Sequence, residues 1–356
     1  MPLSLLRIRH LRNIQNIEIE PGASLNLLWG GNGAGKTSIL EAIYLLGRGR
    51  SFRGTEIGPL ITTGKGETVV FGKLLEEDNK RDIIGISKQL KGTTQIRING
   101  AAVSRLSTLA QTLPLQVLTP KSHEILERGS AYRRRFIDWG VFHVEHNIIK
   151  LANNYAKALK QRNAALRRSP QTAFAWDSIL IENGTQIEAV RRRYLEKLIP
   201  IFSDKTEKLI GRSDITINYR RGWSENESYA ESIKRRERDD LNRGFTGTGP
   251  HRADIRVEIA GLPVERVVSR GEQKLIIAAL YLAQAKIAST ESRVKPLILI
   301  DDLPAELDEE KRAVFLNELV YLNLQVFITG IDRSSFSAIT PSSVFHVKHG
   351  EVFREN

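Results

Sequence analysis

The sequence predicts an α/β fold interrupted by a mostly helical lobe, and three observations carry that prediction. Residues 1–118 read as short strands around one strong helix. Residues 119–208 lose strand alternation and take up helical spacing. From 209 to 356 strands return, with one long apolar helix among them. The expected organisation is two α/β segments, 1–118 and 209–356, separated by a helical basic lobe at 119–208.

The first segment opens on Leu5-Leu6-Arg7-Ile8-Arg9 and then Ile17-Glu18-Ile19-Glu20, whose two-residue period marks half-buried strands. Pro21-Gly22 turns the chain, and 25–29 is a short, mostly apolar run suited to a buried strand. Good helix formers at helical period occupy 37–46, and further strands are expected at 68–75, 83–87 and 95–99. In the lobe, Ile148, Leu151, Tyr155, Ala158, Leu159 and Leu166 follow helical spacing. Strands resume at 214–220, 254–259, 296–300 and 325–329, with a helix over 271–288. There is no internal repeat and no heptad run long enough for an extended coiled coil.

Composition narrows the class. A chain of 356 residues holds one large domain or two. With 41% hydrophobic and 26% charged residues it is no disordered chain. Its longest apolar stretch, 275–283, falls well short of the roughly 20 residues that span a bilayer. Arg7, Arg9 and His10 break any apolar core of a signal peptide. The absence of cysteine excludes disulfides, thiolate metal sites and a cysteine nucleophile. A soluble, cytoplasmic protein is expected. The 53 basic against 41 acidic residues give +12 and a pI near 9.8, which favours polyanionic partners. Residues 121–208 hold 17 basic and 10 acidic residues, +7 of that surplus. Within them lie Arg133-Arg134-Arg135 and Arg191-Arg192-Arg193. Each triplet alone reads as a solvated helix face; the alternative is a phosphate-contacting surface.

The chemistry begins at Gly30-Gly31-Asn32-Gly33-Ala34-Gly35-Lys36-Thr37, a full match to the phosphate-binding loop pattern between a buried strand and a helix. Glycines let backbone N–H groups turn inward around the α- and β-phosphates, and the helix directs its positive end at the anion. Lys36 is positioned to reach the β- and γ-phosphates of ATP, and the Thr37 hydroxyl to ligate Mg2+. Downstream, Leu297-Ile298-Leu299-Ile300-Asp301-Asp302 reads as a buried strand delivering carboxylates to its end. Asp301 suits the magnesium and Asp302 the attacking water. Ala305-Glu306-Leu307-Asp308 then opens the next helix. A third element, Ser269-Arg270-Gly271-Glu272-Gln273, begins a helix about 30 residues before the acidic strand. As a bare string, Ser269 with Glu272 three residues on is a capping box. In this order and spacing it resembles the signature motif of ABC-type ATPases. The fold class is therefore that of an ABC-type P-loop ATPase head with a mostly helical insert.

The chain as a whole resembles the RecF family, bacterial recombination-mediator ATPases related to the heads of SMC and Rad50 proteins. The resemblance runs end to end, through Leu11-Arg12-Asn13-Ile14, the loop and its continuation Ser38-Ile39-Leu40-Glu41, and Gly49-Arg50-Ser51-Phe52-Arg53. It continues through Arg134-Arg135-Phe136-Ile137-Asp138, Leu159-Lys160-Gln161-Arg162-Asn163, Trp176-Asp177 and Thr248-Gly249-Pro250-His251-Arg252-Ala253-Asp254. Val326-Phe327-Ile328-Thr329 resembles the strand that ends at the switch position. The resemblance implies nucleotide contacts at Arg12, Asn13 and Ser38 as well. It also implies that Ser269, Arg270, Gly271 and Glu272 cap the γ-phosphate held by a partner copy. Further, it implies an ATP-dependent homodimer that closes on duplex or gapped DNA, slow hydrolysis that releases it, and work with RecR and RecO to load RecA. Where most ABC enzymes have Glu after the magnesium acid, this chain has Asp302, whose shorter side chain suits slow hydrolysis.

Two rivals are weighed against this reading. A long-coiled-coil SMC or Rad50-type machine is disfavoured by the short insert, and a membrane transporter's ATPase subunit by the family strings and the basic lobe. His143-Val144-Glu145-His146 lacks a third ligand and reads as structural. Gln116 lies near where a glutamine loop would fall. The four Trp and 12 Phe show no base-stacking arrangement along the chain.

Overall fold

The structure, a computed structural model, describes residues 2–75, 81–145, 147–302 and 307–355. His146 and residues 303–306, including the Ala305-Glu306 helix start expected from sequence, lie outside the described residues. The chain groups into two compact units, Met1–Ser122 with Ala288–Asn356, and His123–Ile287.

The first unit holds two sheets. Alternating apolar and polar residues form β1 (Leu3–Leu11) and β2 (Ile14–Ile19), and β3 (Leu25–Trp29), apolar except for the buried Asn26, leads into α1 (Lys36–Arg48). There follow β4 (Glu67–Leu75), β5 (Arg81–Gln89), β6 (Thr94–Ile98), β7 (Ala101–Ala102), α2 (Leu106–Thr112) and β8 (Leu115–Leu118). One sheet is antiparallel, in the order β2-β1-β4-β5-β6-β7.

The second unit begins with α3 (Glu124–Glu127), α4 (Ser130–Val144), α5 (Ile148–Arg168) and the 34-residue α6 (Asp177–Ile210). Then come β9 (Ile215–Arg220), α7 (Tyr229–Arg235), α8 (Glu237–Arg243), β10 (Asp254–Ile259), β11 (Leu262–Pro263) and α9 (Arg270–Glu291), within which the unit ends. Residues 209–287, expected with the C-terminal α/β segment, group here with the helices. The physical reason is that β9 pairs with β10, while α6 packs on β9 and α4 on β10.

The chain returns to the first unit with β12 (Leu297–Ile300), α10 (Glu309–Tyr321), β13 (Val326–Gly330), β14 (Ser343–Lys348) and β15 (Glu351–Glu355). These join β3 and β8 in a second six-stranded sheet, β15-β14-β3-β13-β12-β8, parallel except at β15. Helix α1 is buried on nearly every side, against β1, β4 and β5 of one sheet and β8 and β13 of the other. Its Ile39, Leu40, Ile43 and Leu46 share one core with Leu6, Ile8, Val70 and Ile84, and with Leu28, Leu299 and Phe327.

The family-particular strings of the second unit meet in a buried polar core. Arg162 is fully buried and donates to Asp177 at 2.6 Å, Asp240 at 2.6 Å and Thr246 at 2.9 Å. Asn163 accepts from both the N–H and the hydroxyl of Thr246. Gly249 has φ 128°, and a Cβ there would fall 2.3 Å from the Tyr229 hydroxyl, so only glycine fits. The Arg triplets serve the same core. Arg133 grips Asp254 with two hydrogen bonds, Arg134 donates to the Ala253 carbonyl, and Arg191 bridges Asp138 and the Pro250 carbonyl. Arg192 and Arg193 pair with Glu188 and Glu145. Two of the six also lie with the guanidinium over a ring, Arg135 over Tyr132 and Arg192 over Tyr219.

His251 sits within this core, its Nδ1 2.7 Å from the Tyr155 hydroxyl and its Nε2 3.1 Å from the Thr246 carbonyl. Because a carbonyl only accepts, Nε2 carries the proton and Nδ1 accepts from Tyr155. Burial pushes its pKa down to about 4, helped by the cations Arg252, Arg134 and Arg191. The unfolded chain, near 6.5, therefore binds more protons than the folded one between about pH 6.5 and 4, and stability falls as pH falls through that window. His251→Gln should flatten the urea-unfolding midpoint over that range by up to ~1.4 kcal/mol per pH unit. An unchanged slope would show that this imidazole is not held neutral.

Candidate nucleotide-binding site

Three adjacent parallel strands, β12, β13 and β3, end side by side because Ile300 registers with Ile328, and Gly330 with Trp29. That register sets Asp301 beside Thr329 and both beside the loop leaving β3, at the carboxyl edge where open α/β sheets hold ligands. The Thr329 hydroxyl donates to Asp301 at 2.9 Å and accepts from the Asp302 N–H at 2.8 Å. The Thr37 hydroxyl, in the first turn of α1, reaches the same carboxylate at 2.9 and 3.1 Å. Asp302 has φ 52°, a left-handed conformation uncommon outside glycine and frequent at functional sites.

The loop is shaped by its glycines and by contacts from outside it. Gly30, at φ 149°, lies so close to β14 that a Cβ would sit 2.2 Å from the Val347 carbonyl oxygen. Gly33 (φ 74°) and Gly35 (φ 119°) also take backbone angles that other residues resist. Lys36 folds back so that its ammonium donates to the Gly30 and Gly31 carbonyls at 2.6 and 2.9 Å. Burial lowers its pKa, and the nearby Asp302 and Asp301 partly offset that. Asn13 donates to the Gly33 carbonyl and accepts from the Ser38 hydroxyl, bracing the loop from the first hairpin, while Gly350 donates to the Ala34 carbonyl. Gly31, Asn32 and Ala34 complete the turn.

Arg12 is held elsewhere. It grips the fully buried Glu41 carboxylate with bonds of 2.9 and 2.7 Å, and donates to the Pro59 carbonyl. Ser51 also donates to Glu41, and Arg53 lies 3.8 Å away. The sequence motifs assign Glu41 no role; a carboxylate on an otherwise apolar helix is the signal that marks it. Beside Asn13 opens a cavity of about 730 Å³, lined by Arg12, Gln15, Pro59, Thr62, Lys65 and Leu90 among others. Apart from Arg12 and Asn13, its lining residues carry no motif.

Ser269, Arg270, Gly271 and Glu272 belong to the second unit, at the start of α9. The capping box is formed, with Glu272 accepting from the Ser269 N–H and hydroxyl, both at 3.0 Å, and Ser269 accepting from the Glu272 N–H. Ser269, Arg270 and Gly271 are exposed. Gln116 is buried inside β8 and is no loop residue. His143 packs on Trp139 and Phe142, and no group of three or more metal-ligating side chains occurs among the described residues.

The family profile described as the RecF/RecN/SMC N-terminal domain matches residues 2–352. A DNA replication and repair protein RecF of Pseudomonas aeruginosa is 38% identical over 359 residues, covering 99% of this chain and 97% of the relative. The solved structure of a recombination mediator protein RecF bound to ATP, of the RecFOR pathway, covers 100% of this chain and 98% of its own, with TM-score 0.84 and 26% identity. An SMC head domain with an extended coiled coil, from Pyrococcus furiosus, shares the fold at TM-score 0.66 and 18% identity, covering 100% and 96%. The fold is that of an ABC-type ATPase head.

The Arg12–Glu41 pair gives a direct test of what anchors α1. Arg12→Ala leaves a carboxylate buried without its bidentate partner, which should lower unfolding stability by ~3–5 kcal/mol. Adding Glu41→Met should recover part of that loss, because the stranded charge goes too. A double variant no more stable than Arg12→Ala would place the cost in lost packing.

Proposed function

The chain belongs to the RecF family, and we propose that it is an ATP-dependent DNA-binding protein of recombinational repair and replication restart, working in the cytoplasm. The observation that carries the reading is the convergence of the phosphate-binding loop, Thr37, Asp301, Asp302 and Thr329 on one sheet edge. In that arrangement Lys36 exchanges its loop carbonyls for the β- and γ-phosphates of ATP, and the backbone N–H groups of residues 30–38 cradle the anion. The cavity beside Asn13 lies where the nucleoside end of the nucleotide can extend from the loop.

Thr37 and Asp301 fit Mg2+. Hydroxyl and carboxylate are the hard oxygen donors it requires, and two protein ligands leave positions for phosphate oxygens and water. Bound there, the metal would neutralise charge on the β- and γ-phosphates. Asp302, turned by its left-handed backbone at the strand end, takes the role of polarising water. Thr329 holds both acids in place through one hydroxyl. Exposed Ser269 and Gly271 at the amino end of α9 suit contact with the γ-phosphate on a partner copy. Two copies thus close around two ATP molecules and on DNA, duplex or gapped, and hydrolysis reopens them. The solved RecF–ATP relative supports the nucleotide. Action with RecO and RecR to load RecA follows the relatives' pathway. The 34-residue α6 carries Pro200 within it, and no described helix is long and apolar enough to cross a membrane.

DNA affinity should require ATP and fall steeply with salt. If the dimer neutralises about 6–10 phosphates, a gel shift should lose roughly 10³–10⁵-fold between 50 and 200 mM salt. A flat response, or equal binding without nucleotide, would sink the reading. Lys36→Ala should abolish ATP binding. Ser269→Arg should leave ATP binding intact while dimerisation, DNA binding and hydrolysis fail together, because its bulk obstructs the partner's nucleotide. Asp302→Asn should instead accumulate an ATP-bound dimer on DNA. Light scattering with and without ATP separates the two variants. Parental hydrolysis by Ser269→Arg would mean that one chain completes its own site.

A further inference from the structure

The antiparallel sheet of the first unit buries one face, through Leu6, Ile8, Val70, Ile84, Ile86 and Ile96. Alternation sends the intervening residues to the other face. There the register lines up Arg7, Phe71, Gly85 and Arg97 across four neighbouring strands, β1, β4, β5 and β6. Arg7 stands over one side of the Phe71 ring, its guanidinium carbon 5.8 Å from the centroid. On the ring's other side Gly85 contributes nothing, and a Cβ built there would meet no atom within 4 Å. Arg97 is the next side chain beyond, two strands from Phe71 and therefore about 9.6 Å away at the backbone. The result is an aromatic floor beside an opening one strand wide, with a cation on each flank.

Charge on this face selects the occupant. Glu18 is engaged by Arg7, and Glu67 accepts from Ser87. Glu20 is the exposed acid at the end of the first hairpin. Arg9 and Arg97 are exposed, Lys73 is half-buried, and none of the three has an acidic partner among the described residues. Cations flanking a solitary half-buried aromatic on an open sheet suit a chain of phosphates whose bases are unpaired. In a duplex the bases stack on one another and offer no face to such a floor, whereas a single strand does.

We propose that this face binds single-stranded DNA, one base stacking on Phe71 in the opening over Gly85, with phosphates on Arg9 to one side and Arg97 to the other, while Arg7, paired with Glu18, backs the ring. The inference rests on the proposed DNA-binding function and adds where unpaired DNA would be held. Along the chain the aromatic residues show no stacking pattern; only the cross-strand register brings ring, gap and cations into one row.

The test uses the full-length protein with a slowly hydrolysed ATP analogue. Anisotropy is read with a fluorescein-labelled oligothymidylate and with a blunt duplex of the same length. Phe71→Ala removes the floor, and Gly85→Val fills the opening at a position with room for it. Each should weaken oligothymidylate binding by about 5- to 140-fold, the range expected for one stacked base, while duplex and nucleotide affinity stay at the parental level. Phe71→Trp should bind and show indole fluorescence quenched by oligothymidylate. Unchanged single-strand affinity in both Phe71→Ala and Gly85→Val overturns the proposal, and so does an equal loss on both probes. A parental protein that binds duplex but not oligothymidylate overturns this inference alone. One that binds neither overturns the DNA-binding reading as well.

Discussion

The candidate site depends on burying one helix from all sides. Helix α1 starts where the phosphate-binding loop ends, and a loop rich in glycine cannot hold its own shape against backbone entropy. The helix imposes that shape. Lys36 to Gly47 is packed between two sheets, and at Gly47 a Cβ would fall 2.5 Å from the Leu113 carbonyl oxygen. A helix so confined has one axial position and one rotation. Thr37 is therefore delivered to Asp301 by the packing of the helix, with Asn13 and Gly350 bracing the loop before it. The single acidic residue on that buried helix, Glu41, must then be paired in place, and Arg12, Ser51 and Arg53 converge to do it. In this way the first hairpin and the loop at 51–53 are tied to the same helix that aims the phosphate-binding loop.

The second layer of order comes from parallel register. Side chains at the ends of β12 and β13 meet only if the strands are in step, and a one-residue slip would turn Thr329 to the opposite face of the sheet. The Thr329 hydroxyl bridges the Asp301 carboxylate and the Asp302 N–H, so it fixes two consecutive acids whose proposed tasks differ. Asp302 leaves the strand in a left-handed turn that this N–H bond helps to hold. A strained residue next to a phosphate-binding loop is stabilised by its surroundings for a reason, and the positioning of water supplies one.

Much of this was legible in the sequence. Periodicity located β3 to the residue, and β1, β2, β4, β5 and β6 within a few residues, because each alternates or is mostly apolar. The loop, its helix and the acidic strand announce themselves by motif. What periodicity could not reveal was partnership. Arg12, expected from the resemblance to touch the nucleotide, also pairs with Glu41, a contact that helix burial rather than local sequence dictates. The strand pair β14–β15 and the short β8 carry no motif, and the cavity beside Asn13 is assembled from turns far apart in the chain. The Phe71 row likewise exists only through strand pairing.

The arginine triplets show why charge along a chain is a poor map of charge on a surface. Arg133, Arg134, Arg191, Arg192 and Arg193 all donate to acids or carbonyls of the same unit. A guanidinium bonded to a carboxylate is locally neutral, and it contributes little to the release of counterions from a polyanion. The crowded cations are nonetheless tolerated: burial, Arg191 and Arg252 lower the pKa of Arg134, but Asp138 and Asp254 oppose that and the Ala253 carbonyl accepts from its guanidinium. Arg133, Arg134 and Arg191 are pins that hold the 248–254 segment, whose Gly249 admits no side chain and whose His251 is kept neutral. The basic surplus open to a polyanion such as the proposed DNA is therefore carried by dispersed, singly placed residues. Such residues act through long-range attraction until a specific geometry, such as a cation on each side of a half-buried ring, gives a few of them a defined partner.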